Sequence, residues 1–136
     1  MLDLYQARIA LESEAAALAA ERHLPLDFAR LEHLLELAGK ATDSDTMLAI
    51  NGAWHEAVRQ ACHNDTIQDL LTTVSLRLRV AEGNDTQAHD PVENDADHQA
   101  VLDAMRSRDA AAAREAMRAH LTRVRDLRTK AIARES

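Results

Sequence analysis

The stretch AINGAWHEAVRQACHN, residues 49–64, has the apolar spacing of an amphipathic helix. The residues predicted to face a core are Met47, Ile50, Trp54, Val58 and Ala61. Asn51 and His55 fall inside this apolar stripe, four residues apart, so both side chains project from the same side of the helix. Because a buried polar group costs about 1–3 kcal/mol unless it has a partner, the pair predicts a bonded partner or a ligand in the interior.

Helical periodicity continues on both sides of this stretch. It predicts six helices, at about 3–22, 25–38, 44–62, 66–82, 92–107 and 110–133. Pro25 suits the first turn of the second helix, Gly39 its C-terminal cap, and Asp109 the N-cap of the sixth helix. Residues 83–91 form the longest predicted loop. We therefore expect an all-α, antiparallel bundle of about six helices with short connections.

The composition supports one helical domain spanning residues 1–136. Only 2% of the residues are aromatic, and the chain has three glycines and two prolines. Its net charge of −7 argues against binding a phosphate backbone unaided. Cys62 is the only cysteine, which excludes an internal disulfide and favours a cytoplasmic location. No run of 18 apolar residues is present, so we expect no membrane span.

Two further histidines fall on predicted inward faces. His98 shares the face of Val101 and Leu102, and His120 lies in the apolar stripe of the sixth helix. Imidazoles from three helices, with Asn51 one turn from His55, suit a divalent ion such as Zn²⁺ or Ni²⁺. Hydrogen-bonded core histidines without an ion are the alternative. The other four histidines, in turns or on predicted surfaces, are interpreted as structural: His23, His33, His63 and His89.

Two arginines, Arg8 and Arg77, are predicted to point inward from the first and fourth helices. Guanidinium stays charged, so each needs an anionic partner. That partner is either a carboxylate of this chain, in a salt bridge, or the carboxylate of a bound ligand.

Motifs of common enzyme classes are missing from the sequence. It contains no HExxH, GxSxG, GxGxxG or P-loop pattern, and nothing pairs a nucleophile with a base. We therefore expect a protein that is not an enzyme. Two alternatives stay open: a small metalloenzyme that activates water at a three-histidine site, and a metal-free bundle used for dimerisation.

Three segments in order resemble the FCD domain, the C-terminal effector domain of FadR-type GntR transcriptional regulators. The first is the opening helix ARIALESEAAALAAER, and the second is NGAWHEAVRQACHN with its Asn51-x3-His55 spacing. The third is DHQAVLDAMRSRDAAAAREAMRAHL, in which 21 residues separate His98 from His120. The resemblance covers nearly the whole chain.

The resemblance implies a bundle of six or seven helices around a central cavity. It implies a divalent metal held by His55, His98 and His120, with Asn51 where the family more often has aspartate. It also implies that Arg8 and Arg77 lie near a bound ligand. The implied ligand is a small organic acid, and an Asn carbonyl, being neutral, leaves the metal site one negative charge short.

The implied function is effector sensing that controls DNA binding in a homodimer. Family members normally carry an N-terminal winged helix-turn-helix, which is absent from this chain. The first helix is already the first helix of the sensor domain. We therefore expect either a fragment of a regulator or a separate sensor domain, with DNA contacted only through another domain.

Overall fold

The computed structural model describes residues 1–82 and 91–135, with side chains described for residues 1–82 and 95–134. Within these ranges the chain forms six α-helices and no strand, which confirms the predicted all-α class. The helices are α1 (Leu2–Arg22), α2 (Pro25–Lys40), α3 (Ser44–Ala61), α4 (Asp65–Glu82), α5 (Pro91–Arg106) and α6 (Ala110–Glu135). Most of the predicted loop, at 83–90, lies outside the described residues.

The helix starts follow local capping signals. Asp43 accepts a hydrogen bond from the Thr46 backbone N–H (3.0 Å) at the start of α3. Asn64 caps α4 and Asp109 caps α6 through equivalent bonds, each of 3.0 Å. These side chains satisfy amide groups that have no partner within the first helical turn. The prediction that Gly39 caps α2 is wrong, because the helix continues through it to Lys40.

Helix α1 is the central element, since it packs against α3, α4, α5 and α6. Four of its alanines, Ala15, Ala16, Ala19 and Ala20, have no exposed surface. Small side chains allow neighbouring helices to approach α1 closely. The rest of the core comes mainly from Leu31, Trp54, Leu71, Met105, Met117 and Leu121.

Helices α1 and α6 run antiparallel. Glu14 pairs with Arg114 at 3.1 Å, and Arg108 donates to the carbonyls of Glu21 and His23 at the end of α1. Arg108 has a positive φ of 54°, and its backbone N–H donates a hydrogen bond to the Met105 carbonyl. This left-handed turn ends α5. The tight α5–α6 turn sets the relative position of His98 and His120 in the interior.

None of the described helices is long and apolar enough to cross a bilayer.

Candidate metal centre

Three buried histidines from different helices meet inside the bundle. His55 on α3, His98 on α5 and His120 on α6 have exposed fractions of 4%, 2% and 1%. The nitrogens that they offer all lie within 4.8 Å of one another, and Nε2 of His98 is 3.3 Å from Nε2 of His120. Such a group of imidazoles has the ligand type and the spacing required to hold a divalent ion.

Ring packing holds the cluster in a defined arrangement. The indole of Trp54 stacks on the imidazole of His98, with ring centroids 3.8 Å apart and planes 7° from parallel. His55 lies edge-on to His98 with centroids 5.2 Å apart, and it stacks with His120 at 5.4 Å. The rings are thus positioned by aromatic contacts as well as by their helices.

Burial keeps the three imidazoles neutral at pH 7. Burial lowers the pKa of His55. For His98, burial together with the nearby His55 and His120 holds the pKa well below its usual value. Burial also lowers the pKa of His120 to about 4, although the nearby Asp97 opposes this shift. A neutral imidazole keeps a lone pair on one nitrogen, which is the form that binds a metal.

Asp97 orients the ring of His120. Its Oδ2 lies 2.8 Å from His120 Nδ1, and Arg123 pairs with its other oxygen. Because a carboxylate only accepts hydrogen bonds, Nδ1 carries the proton and Nε2 keeps the lone pair. That Nε2 is the nitrogen that faces His98. Carboxylate–histidine pairs of this kind fix ring orientation at metal sites.

A second carboxylate, Glu12 on α1, lies beside His55. It is only 2% exposed, and Oε2 accepts from Arg8 at 2.7 Å while Oε1 accepts from Arg59 at 2.9 Å. His55 Nδ1 lies 3.6 Å from Oε1, beyond hydrogen-bond distance. Burial alone raises the pKa of Glu12, but Arg8, His55 and Arg59 outweigh it and hold that pKa well below the usual value.

A cavity of about 500 Å³ opens next to the cluster. Its wall includes His55 and His120 as well as Asn51, which is half-buried. The remaining lining residues are Tyr5, Arg8, Leu48, Gly52, Glu56, Arg59, Ser75, Leu78, Arg79, Glu82, Val124 and Arg128. The cavity therefore joins the histidine cluster to several guanidinium groups.

The two predicted ligand-binding arginines differ in position. Arg8 lies in the cavity wall and forms the intramolecular salt bridge that the sequence analysis kept as one alternative. The inward orientation predicted for Arg77 is wrong, because its side chain is exposed and Arg79 lines the cavity instead. Leu70, two turns before Arg77 and so on the same side of α4, is itself 48% exposed. The inward face of α4 actually follows Leu71 and Leu78.

Three of the other four histidines lie apart from the cluster. His23 is buried and bonds to the Ala19 carbonyl at 2.8 Å, and His63 pairs with Asp27 at 2.8 Å. His33 is exposed on α2, and His89 lies outside the described residues.

Three residues of the site were not predicted from the sequence: Glu12, Asp97 and Arg59. The spacing of Glu12 four residues after Arg8 was a usable signal, because such a pair shares one face of a helix. Arg59 follows His55 by the same interval. Asp97 precedes His98 directly, and no periodicity distinguishes it from a solvent-exposed acid.

The fold and its buried centre define a class of protein: a helical ligand-binding domain with a candidate ion site in the core. The FCD domain family model matches residues 3–123, and the chain belongs to that family. Members are effector-binding domains of transcriptional regulators and not enzymes, so the prediction of no enzymatic activity is confirmed and the metalloenzyme alternative is wrong.

Solved structures share the fold at low sequence identity. A Streptococcus agalactiae GntR protein aligns over 91% of this chain with a TM-score of 0.77 and 22% identity. Escherichia coli McbR/YncC aligns over 94% with a TM-score of 0.80 and 21% identity. The matched region spans 57% and 64% of those two chains. No curated protein sequence matches this chain.

Proposed function

We propose that this domain senses a small organic acid at a divalent metal held by His55, His98 and His120. Asn51 adds an amide oxygen from the cavity wall. The observation that carries the proposal is the meeting of three buried, neutral imidazoles beside a cavity with guanidinium groups in its wall. Zn²⁺ and Ni²⁺ are the ions that best suit such ligands.

The residues fit such an ion in type, protonation and support. Three imidazoles leave open positions, and Asp97 turns the lone pair of His120 toward His98. A bound divalent ion would supply positive charge to which carboxylate and hydroxyl oxygens bind. Trp54 shields one face of His98 from water and keeps that ring fixed.

The cavity wall favours an anionic ligand. Arg8, Arg59 and Arg128 are balanced by the carboxylates with which they pair, those of Glu12, Glu56 and Glu82. Arg79 contributes a further guanidinium at the wall. Arginine binds carboxylates through paired hydrogen bonds, so these side chains would hold the part of the acid that lies away from the histidines.

In the regulator that we infer, ligand binding changes the DNA-binding state of a homodimer in the cytoplasm. The DNA contact is made by a separate winged-helix domain. An acid that binds one packing of the bundle more tightly than another shifts the population toward that packing. The control of transcription thus rests on differential binding at the cavity.

Calorimetry and elemental analysis test the proposal. We expect untagged wild-type protein to hold about one divalent ion per chain, and the loaded protein to bind at least one acid from a panel of hydroxy acids, sugar acids and dicarboxylates. His98→Ala should lose the ion, whereas His33→Ala, which removes an exposed histidine, should retain it. A chain that takes up no ion, or a loaded chain that binds no acid, contradicts the proposal. The first of these results favours the metal-free dimerisation bundle.

A further inference from the structure

Glu12 is the one charged residue of α1 buried in the core of the bundle beside the histidine cluster. Its two oxygens are held separately: Arg8, one turn before it, binds Oε2, and Arg59 on α3 binds Oε1. Arg59 lies one turn after His55 on the same helix, so the oxygen that it holds is also the one nearest the His55 ring.

His55 has a buried nitrogen that needs this carboxylate. Its Nδ1 has no hydrogen-bond partner among the described residues, and Glu12 Oε1 lies 3.6 Å away. A shortening of about 0.7 Å gives an ordinary N–H···O distance of about 2.9 Å. A buried polar atom left without a partner is costly, and a proton on Nδ1 would make closing this contact favourable.

His120 shows the same arrangement on another pair of helices. Its Nδ1 is bonded to Asp97, and its Nε2 faces the cluster. The two ring nitrogens of an imidazole point in different directions, so fixing the proton on Nδ1 leaves Nε2 for a cation.

Glu12 and Asp97 are the carboxylates nearest to the ligand histidines within the described part of the chain. Arginines already balance the charge of both, since Arg8 and Arg59 bind Glu12 and Arg123 binds Asp97. The role that remains for each carboxylate at the cluster is to accept a hydrogen bond from a histidine ring and so to fix its tautomer.

We propose that Glu12 is a positioning residue that holds His55 in the Nδ1–H tautomer and thereby directs its Nε2 to a metal ion. This inference rests on the proposed metal binding. The competing role is purely structural: Glu12 anchors Arg8 and Arg59 and has no effect on His55.

The test combines metal affinity with a direct reading of the tautomer. Glu12→Gln should weaken Zn²⁺ binding by about tenfold or more in competition calorimetry, the range found when groups that orient metal ligands are removed. Glu14→Gln, on the same helix, breaks only the surface pair with Arg114 and should change affinity by less than about twofold. Far-UV circular dichroism checks that both variants are folded.

Long-range ¹H–¹⁵N NMR of the metal-free wild type reads the His55 tautomer without any variant. We expect the Nδ1–H form for His55, as for His120, with exposed His33 as the reference for an unconstrained ring. An Nε2–H form of His55, or equal Zn²⁺ affinity in Glu12→Gln and wild type, overturns the inference. If wild type binds no ion, the proposed function fails with it. If wild type binds the ion and Glu12→Gln binds equally well, only this inference fails.

Discussion

Trp54 is the only tryptophan of the chain, and it stacks on a candidate metal ligand. Its fluorescence should therefore report on the site directly. With 3.8 Å between the indole and His98 ring centroids, Ni²⁺ or Co²⁺ bound by the cluster should quench most of the emission. Zn²⁺ has a filled d shell and should bind with little quenching.

The same titration should raise the melting temperature. An ion present at 100 times its Kd that binds only the folded chain stabilises it by about 2.7 kcal/mol. An unfolding entropy of about 2.1 cal/mol/K per residue over 136 residues gives about 0.29 kcal/mol/K. The expected upward shift is thus about 9 °C, less any binding of the ion to unfolded histidines.

The assay combines thermal unfolding, followed by circular dichroism, with a fluorescence titration. A chelator should reverse both the quenching and the shift in melting temperature. His98→Ala should lose both the quenching and the temperature shift, and His33→Ala should keep both. Quenching of equal size in His98→Ala and wild type, or a melting temperature that Zn²⁺ and Ni²⁺ leave unchanged, would refute the assignment of the cluster as the ion site.

Three further outcomes follow from individual contacts. Asp97→Asn should weaken Zn²⁺ binding by about tenfold in competition calorimetry, because an amide no longer holds His120 in one tautomer; unchanged affinity would contradict this. Leu31→Ala removes a side chain with no exposed surface and should lower the free energy of unfolding by about 2–5 kcal/mol in urea, and a loss under 1 kcal/mol would show that the site collapses. For Asp27, burial raises the pKa, but bonds from the Leu24 amide and His63 outweigh it and depress the folded pKa below 3.8. The resulting stability is present above pH 3.8 and is lost as pH falls through the folded value, so Asp27→Asn should reduce the acid dependence of unfolding measured from pH 5 to 2.

Sequence signals located the helices because the signals are local. Pro25 begins α2, and the side chains of Asp43, Asn64 and Asp109 cap the helices that follow them. Each of these signals depends on a few adjacent residues, so no tertiary contact is required to interpret it. Gly39 failed as a stop signal because glycine is tolerated within a helix at a modest cost.

Helical periodicity also placed the three histidines of the cluster on inward faces. His55 and His120 lie among apolar residues at helical spacing, and His98 precedes Val101 and Leu102 on one face. Helix α4 was harder because, among the described helices, it packs mainly against α1 and only weakly against α3. Because α4 is buried mostly on one side, an apolar residue such as Leu70 can lie at the edge of the packed face. Arg77 lies on the same side of the helix as Leu70, and its predicted inward orientation was wrong for this reason.

Helical spacing could pair Glu12 with Arg8, but the contacts of Glu12 and Asp97 with the histidines depend on groups from other helices. Glu12 on α1 meets Arg59 and His55 from α3, and Asp97 on α5 meets His120 from α6. A carboxylate in a helix is normally exposed, and only a partner brought by the fold makes its burial favourable. The histidines of the cluster can therefore be found by their apolar neighbours, whereas their contacts with Glu12 and Asp97 are found only when the helices are assembled. The charge of the site also follows from tertiary contacts. Glu12, Glu56 and Glu82 balance Arg8, Arg59 and Arg128, and Arg79 adds one more guanidinium to the cavity wall, although the chain as a whole is acidic.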